Sequence, residues 1–228
     1  MSGKTLALLL CTLLAVSAGC GMPGLKGHWS FDDGTVTGGE NVGGLKPVEG
    51  KTGKALMFDG KGCVKIPHAP YFHSPAHTIT AWTKLENTGD YQYIAWKAGP
   101  VYPEDENLRR IDIWVNMDGT IDGLLDCCGD AGERIHVTGD TVIADGTWHM
   151  VAWVNDGKTV RLYVDGTLDT EADLPGPLAK NEFPLWIGAR PNGVAATGII
   201  DEFRYFARAL DEKEIAGLCG SCCGTCSK

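Results

Sequence analysis

The sequence predicts an all-β chain, and three observations carry that prediction. From Gly27 onward, short apolar or alternating runs are broken every eight to fifteen residues by Gly, Pro, Asn or Asp. Asp-Gly pairs stand between several of these runs, where a tight hairpin needs positive φ. Thirty-one glycines suit an antiparallel sandwich, whose many turns require unusual backbone angles.

Taken in order, strands are expected over residues 55–58, 64–66, 78–84, 91–97, 110–116, 148–155, 160–164, 185–189 and 199–206. Val151-Ala152-Trp153-Val154 and Arg161-Leu162-Tyr163-Val164 flank Asn155-Asp156-Gly157-Lys158 and define a hairpin. Met117-Asp118-Gly119 repeats the device between Ile113-Trp114-Val115 and the run at Ile121. The one helical signal covers residues 211–218, with Asp211 as N-cap and Glu214 completing a capping box. Residues 34–53 lack periodicity and are expected as a long surface loop.

The N-terminus carries Lys4, an apolar run from Leu6 to Val16 and small residues from Ser17 to Gly19, the pattern of a signal peptide over residues 1–19. That run falls short of the roughly 20 apolar residues a spanning helix needs, and none like it follows. Val16-Ser17-Ala18 suits ordinary cleavage, whereas Ser17-Ala18-Gly19-Cys20 resembles a lipoprotein box with Cys20 as the lipidated residue. The expected product is exported, either secreted or periplasmic, or lipid-anchored at the surface. Residues 20–26 are expected as a linker, 27–218 as one domain and 219–228 as a cysteine-rich tail. A net charge of -9 and an absence of basic runs argue against nucleic acid and anionic membrane as partners. Membrane contact would come only through the lipid.

Segments 27–34 (GHWSFDDG), 53–60 (GKALMFDG), 145–152 (DGTWHMVA) with 162–166 (LYVDG), and 198–205 (GIIDEFRY) with 207–210 (ARAL) occur in this order. Together they resemble the laminin G-like, concanavalin A-like jelly-roll superfamily. The resemblance implies a two-sheet antiparallel jelly-roll sandwich, and a non-catalytic module for a glycan or glycosylated surface protein. It also implies a structural calcium on Asp32 and Asp201, with Asp33, Glu202 and Asn41 as further oxygen donors.

Glucanases of this fold resemble one another in an alternating Glu, Asp, Glu on a single strand, because retaining hydrolysis needs two carboxyls about 5 Å apart. No such triplet is present: Asp112 stands alone between Ile111 and Ile113, Glu104-Asp105-Glu106 follows Pro103, and Asp201 and Glu202 are adjacent and expected on opposite faces. An atypical hydrolase would have to use Asp112 or Glu202. Tyr91, Tyr93 and Tyr102 are the sugar-stacking candidates, while Trp29, Trp82, Trp148, Trp153 and Trp186 are expected to point inward. His68, His73 and His77 have no metal-binding spacing and read as loop residues, and His149 reads as a packing or hydrogen-bonding residue.

Cys63, Cys127, Cys128, Cys219, Cys222, Cys223 and Cys226 remain outside the signal segment, besides Cys20, and in an exported chain they are expected to form disulfides. A tail stapled to Cys127 and Cys128 would alternatively suit a structural or cell-surface adhesion protein.

Overall fold

The computed structural model describes residues 21–99, 109–128, 133–191 and 193–220. The strands are β1 (Leu25–Trp29), β2 (Glu40–Val42), β3 (Lys46–Glu49), β4 (Lys54–Asp59), β5 (Cys63–Ile66), β6 (His77–Leu85), β7 (Gln92–Lys97) and β8 (Ile111–Val115). They continue with β9 (Thr120–Cys127), β10 (Glu133–Val142), β11 (His149–Asn155), β12 (Thr159–Val164), β13 (Thr167–Asp173), β14 (Leu185–Ile187) and β15 (Thr197–Phe206), followed by helix α1 (Glu212–Gly220). All nine expected strands are present, and both Asp-Gly hairpins form, β8 with β9 and β11 with β12.

The strands make two antiparallel sheets. The first runs β13-β12-β11-β6-β15-β4-β3, with β1 on β15, and the second runs β10-β9-β8-β7-β14-β5-β2. Their inner faces close on one core that includes Phe58, Phe72, Trp153 and Phe203. Trp82, Met150, Phe206 and Ile215 form a second cluster, where α1 covers the outer face of the first sheet. The capping box is reciprocal: the Glu214 N–H donates to Asp211 Oδ1 at 2.9 Å and the Asp211 N–H to Glu214 Oε2 at 3.0 Å.

Three expectations are corrected. Residues 34–53 are not one loop, because β2 and β3 lie within them and pair with β5 and β4; their polar residues hid the pattern, and Pro47 is tolerated on the outermost strand of its sheet. The segment read as a linker already carries β1 from Leu25, and Arg208 Nε donates to Pro23 O at 2.7 Å. His77 is no loop residue: it opens β6, is fully buried, and burial pushes its imidazole down to about 3.

Candidate ligand-binding face

The outer face of the second sheet is built by strand alternation broken at one place. Three positions apart, Tyr93 and Trp96 would occupy opposite faces of a regular strand. A register break between Tyr93 and Ala95 puts both rings outward, edge to face at 5.6 Å, while Ile94 and Ala95 stay in the core. Trp114 of β8 pairs across from Tyr93, and Trp186 of β14 pairs across from Trp96. These four rings, with Ala98 and Val194, form an apolar patch separate from the core. Trp186 was expected inward; its neighbours Leu185 and Ile187 take the core positions.

Charged groups ring this patch. Asp112 alternates outward beside Trp114 on β8, and Asp122 and Asp126 do the same on β9. Asp126 is held by the Arg109 N–H at 2.9 Å, Arg109 Nη1 at 3.3 Å and Arg134 Nε at 3.4 Å. Asp122 is held by His136 Nε2 at 3.1 Å and the Gly139 N–H at 3.1 Å, and the His136 ring stacks on Trp114 at 5.3 Å. Arg190 lies over the Tyr93 ring at 5.1 Å and donates from Nη1 to the Tyr93 hydroxyl at 3.2 Å. Tyr93, Trp96, Asp112, Trp114, Arg109 and Arg190 line a hollow of about 180 Å³.

Asp112 is 4% exposed, and burial pushes its carboxyl up to about 8 against the pull of Arg109 and Arg190. Among the described residues, nothing donates to its Oδ1, nothing accepts from Trp96 Nε1, and nothing accepts from Arg190 Nε, although all three atoms are buried. Three orphan polar atoms on residues that line one hollow are unusual, since buried polar groups are ordinarily paired. An outside group with both donors and acceptors would satisfy them.

Of the sequence-derived candidates, Tyr93 lies in this face at 9% exposure, whereas Tyr91 is 47% exposed and borders a different depression with Asp90 and Thr88. Tyr102 lies outside the described residues. Trp96, Trp114, Trp186, Arg109 and Arg190 were missed; the alternation in Ile111-Asp112-Ile113-Trp114-Val115 was a signal for two of the outward positions.

Asp32 and Asp201 are brought to one turn, but as acceptors of backbone N–H groups. Lys51 and Thr52 donate to Asp201 Oδ2 at 2.8 and 3.1 Å, Glu202 to Asp201 Oδ1 at 2.7 Å, and Lys54 to Asp32 Oδ1 at 2.9 Å. Burial raises Asp201 to about 6, with the Lys51 and Thr52 N–H groups opposing it. Asp33 accepts from Thr35, Asn41 bridges Leu45, and Glu202 engages His28 and Arg204. Calcium takes six to eight oxygen ligands; here Asp201 already accepts three backbone N–H groups and Asp32 Oδ1 one. The expected opposite facing of Asp201 and Glu202 also fails, because the register breaks there and Glu202 sits at φ 51°.

Cys63 was expected in a disulfide; it is a thiol 4% exposed, packed with Ala189 and Ala195, and burial pushes it up to about 11. Cys127 and Cys128 are likewise unbridged, their sulfurs 2.9 Å apart. Together with Glu133 they place three ligand atoms within 4.8 Å of one another. Cys219 lies on α1 against the second cluster; Cys20, Cys222, Cys223 and Cys226 lie outside the described residues. His149 is hydrogen-bonded as expected, between Asp165 at 2.7 Å and Asp145 at 3.2 Å.

Comparison with known proteins agrees with this architecture. The family model described as "Concanavalin A-like lectin/glucanases superfamily" matches residues 58–216. Human laminin subunit alpha-3 is 32% identical over 71 residues, which is 31% of this chain and only 2% of that protein. Domain 4 of a GH43 extracellular arabinanase from Geobacillus stearothermophilus, in complex with arabinotriose, superposes with a TM-score of 0.67 at 19% identity, covering 86% of this chain and 98% of that one. The CBM40 of Ruminococcus gnavus IT-sialidase, bound to α2,3-sialyllactose, gives a TM-score of 0.53 at 15% identity over 64% of this chain and 82% of that one. The binding domain of Paraclostridial Mosquitocidal Protein 1 gives 0.64 at 16% identity, covering 80% of this chain and 47% of that chain.

Proposed function

The chain belongs to the concanavalin A-like lectin/glucanase superfamily, and from that premise we propose that it is a non-catalytic extracellular module that binds carbohydrate on the outer face of its second sheet. The observation that carries this reading is the set of three buried polar atoms without a partner among the described residues, Asp112 Oδ1, Trp96 Nε1 and Arg190 Nε, beside the Tyr93, Trp96 and Trp114 rings. Sugars offer the complement of both features, since a pyranose has an apolar face for an aromatic ring and hydroxyls that donate and accept. Two of the similar folds, from the arabinanase and the sialidase, are held with oligosaccharides.

Catalysis is disfavoured by the state of the neighbouring acids. Hydrolysis of a glycoside calls for two carboxyl groups in separate roles. Here Asp126 is committed to Arg109 and Arg134, and Asp122 to His136 and Gly139, so Asp112 has no second available carboxylate beside it among the described residues. The module acts outside the cell, delivered by residues 1–19 and either released or held through a lipid on Cys20. No helix among the described residues is long and apolar enough to cross a membrane. Its partner is a glycan or a glycosylated surface protein.

Glycan-array and polysaccharide pull-down measurements on the purified protein test the reading. Binding weakened about tenfold in a Trp114→Ala variant that keeps its fold is the expected result; no binding to a broad panel, with or without calcium, overturns it.

A further inference from the structure

A cleft of about 630 Å³ shares no lining residue with the aromatic hollow. That volume is ample for one or two sugar rings, within the roughly 300–1,000 Å³ typical of small-ligand pockets. Its polar lining is basic: Arg110, Lys158, Lys180 and His73 face it, and among the described residues no carboxylate does, in a chain of net charge -9. One wall is apolar and stiff, formed by Leu174, Pro175, Pro177 and Leu178. It is pinned by the Leu174 N–H on Lys158 O at 2.7 Å and the Cys128 N–H on Pro177 O at 3.0 Å.

Arg110 makes this cleft more than a patch of surface lysines. Its side chain is 1% exposed, and its donors reach three neutral carbonyls, of Phe72, Ser74 and Ala179. A guanidinium carries five N–H groups, so two remain beyond these three. Among the described residues no ion pair neutralises it, and its titratable neighbours Tyr205, Lys97 and His77 include no carboxylate. Its positive field is also felt by neighbours: Lys97 is pushed down to about 8 by burial and then by Arg110. A buried cation ordinarily has a counter-charge.

We propose that this cleft is a second binding site, which takes an oxyanion-bearing sugar, its carboxylate or sulfate against Arg110, Lys158 and Lys180 and its ring against the proline wall. Either oxyanion suits the guanidinium, because the N–H left on each Nη after the three carbonyls are served can donate to a charged oxygen. The two lysines at the mouth draw the charge in and the prolines exclude water from one side.

Backbone amide shifts of the ¹⁵N-labelled full chain test this, with glucuronate, glucose 6-sulfate, glucose and sodium sulfate as separate probes at equal ionic strength. Glucuronate or glucose 6-sulfate is expected to move the Gly157, Lys158, Gly176 and Lys180 amides, and the Lys158→Glu, Lys180→Glu double variant to bind about tenfold more weakly. Silence with both charged sugars, equal shifts with glucose, or shifts from sodium sulfate alone would overturn the proposal. Trp114→Ala separates this site from the aromatic face: it is expected to leave these shifts unchanged while weakening binding there about tenfold. Both lysines are exposed, so the double variant retains the fold.

Discussion

Arg109 Nε stands 3.9 Å from Asp112 Oδ2, too far for a hydrogen bond, because Arg109 leans on Asp126, its Nη1 3.3 Å from Oδ2. Asp112 is thereby buried with no donor on its Oδ1 among the described residues. Raised from 3.8 to about 8, it favours the fold in its neutral form: that stability is fully present below the ordinary carboxylate range and is lost as pH rises through about 8. Calorimetry from pH 4 to pH 9 is expected to show this loss in the wild type. Asp112→Asn should remove it and raise stability at pH 8 by about 1–2 kcal/mol. Asp112→Ala, which removes the orphan acceptor that Asn would keep, should weaken glycan binding about tenfold. An Asn variant that is destabilised at pH 8, or an Ala variant that keeps its fold and binds unchanged, refutes this.

Trp114 is partly exposed and stacks on His136, so its ring is available to ligand without supporting the core. Trp114→Ala is expected to cost about 1–2 kcal/mol of binding, close to tenfold, through lost stacking. Tyr91→Ala, at a ring outside the hollow, should bind as the wild type does. Titration calorimetry with whichever oligosaccharide the array selects compares them; equal losses in both variants would move the site.

The fold was legible because the strands that build it announce themselves: β11 and β12 alternate around Asp156-Gly157, and α1 carries both halves of its capping box. The binding face was legible only in part. Trp186 and Trp153 look alike in sequence, yet one faces out and the other in, and no single strand reveals which sheet face meets the core. The break between Tyr93 and Ala95 shifts the alternation inside an otherwise regular strand, so Trp96 reads as core. Arg109 and Arg190 lie outside regular strands and reach the face through turns, where periodicity says nothing.

The Asp201 carboxylate makes its bonds to the N–H groups of Lys51 and Thr52. Calcium would have to compete with those donors for the carboxylate, so chelation with EDTA is expected to move the melting temperature by less than about 1 °C, well inside the shift that tight metal binding produces. Asp201→Ala should instead destabilise by about 1–3 kcal/mol by orphaning the turn amides. A calcium-dependent rise in melting temperature that vanishes in Asp32→Asn or Asp201→Asn contradicts the arrangement described.

Cys63 is enclosed by Ala189, Ala195, Val42 and Trp186. Its high thiol pKa, about 11, follows from that burial and leaves little thiolate at neutral pH. Alkylation of the native exported protein followed by mass spectrometry is expected to find Cys63 reduced and unreactive, becoming reactive only after denaturation. Recovery of Cys63 in any disulfide-linked peptide would exclude this packing.

Glu214 ties the C-terminal helix to the sandwich twice, through the Asp211 N–H at 3.0 Å and through Arg208, whose Nη1 lies 2.8 Å from Oε2. The Arg208 hydrogen bond, followed by the helix cap, holds its carboxyl down to about 2, below the ordinary 4.5. A lowered carboxylate gives stability that is present above the ordinary value and lost as pH falls from there towards 2. The group is partly exposed, and solvent screening keeps the effect small. Asp211→Ala removes the other half of the box and should cost about 1 kcal/mol, the usual value of a helix cap. α1 covers Trp82, Met150 and Phe206, so detachment of the helix uncovers apolar surface that native-state hydrogen exchange and dye binding both detect. Faster exchange at the amides of residues 215–218 in Asp211→Ala, and in the wild type near pH 3, is the expected outcome, with the β11 and β6 amides unchanged. Simultaneous loss of protection in α1 and in those strands would mean that the helix is part of the cooperative core and not a cover laid over it.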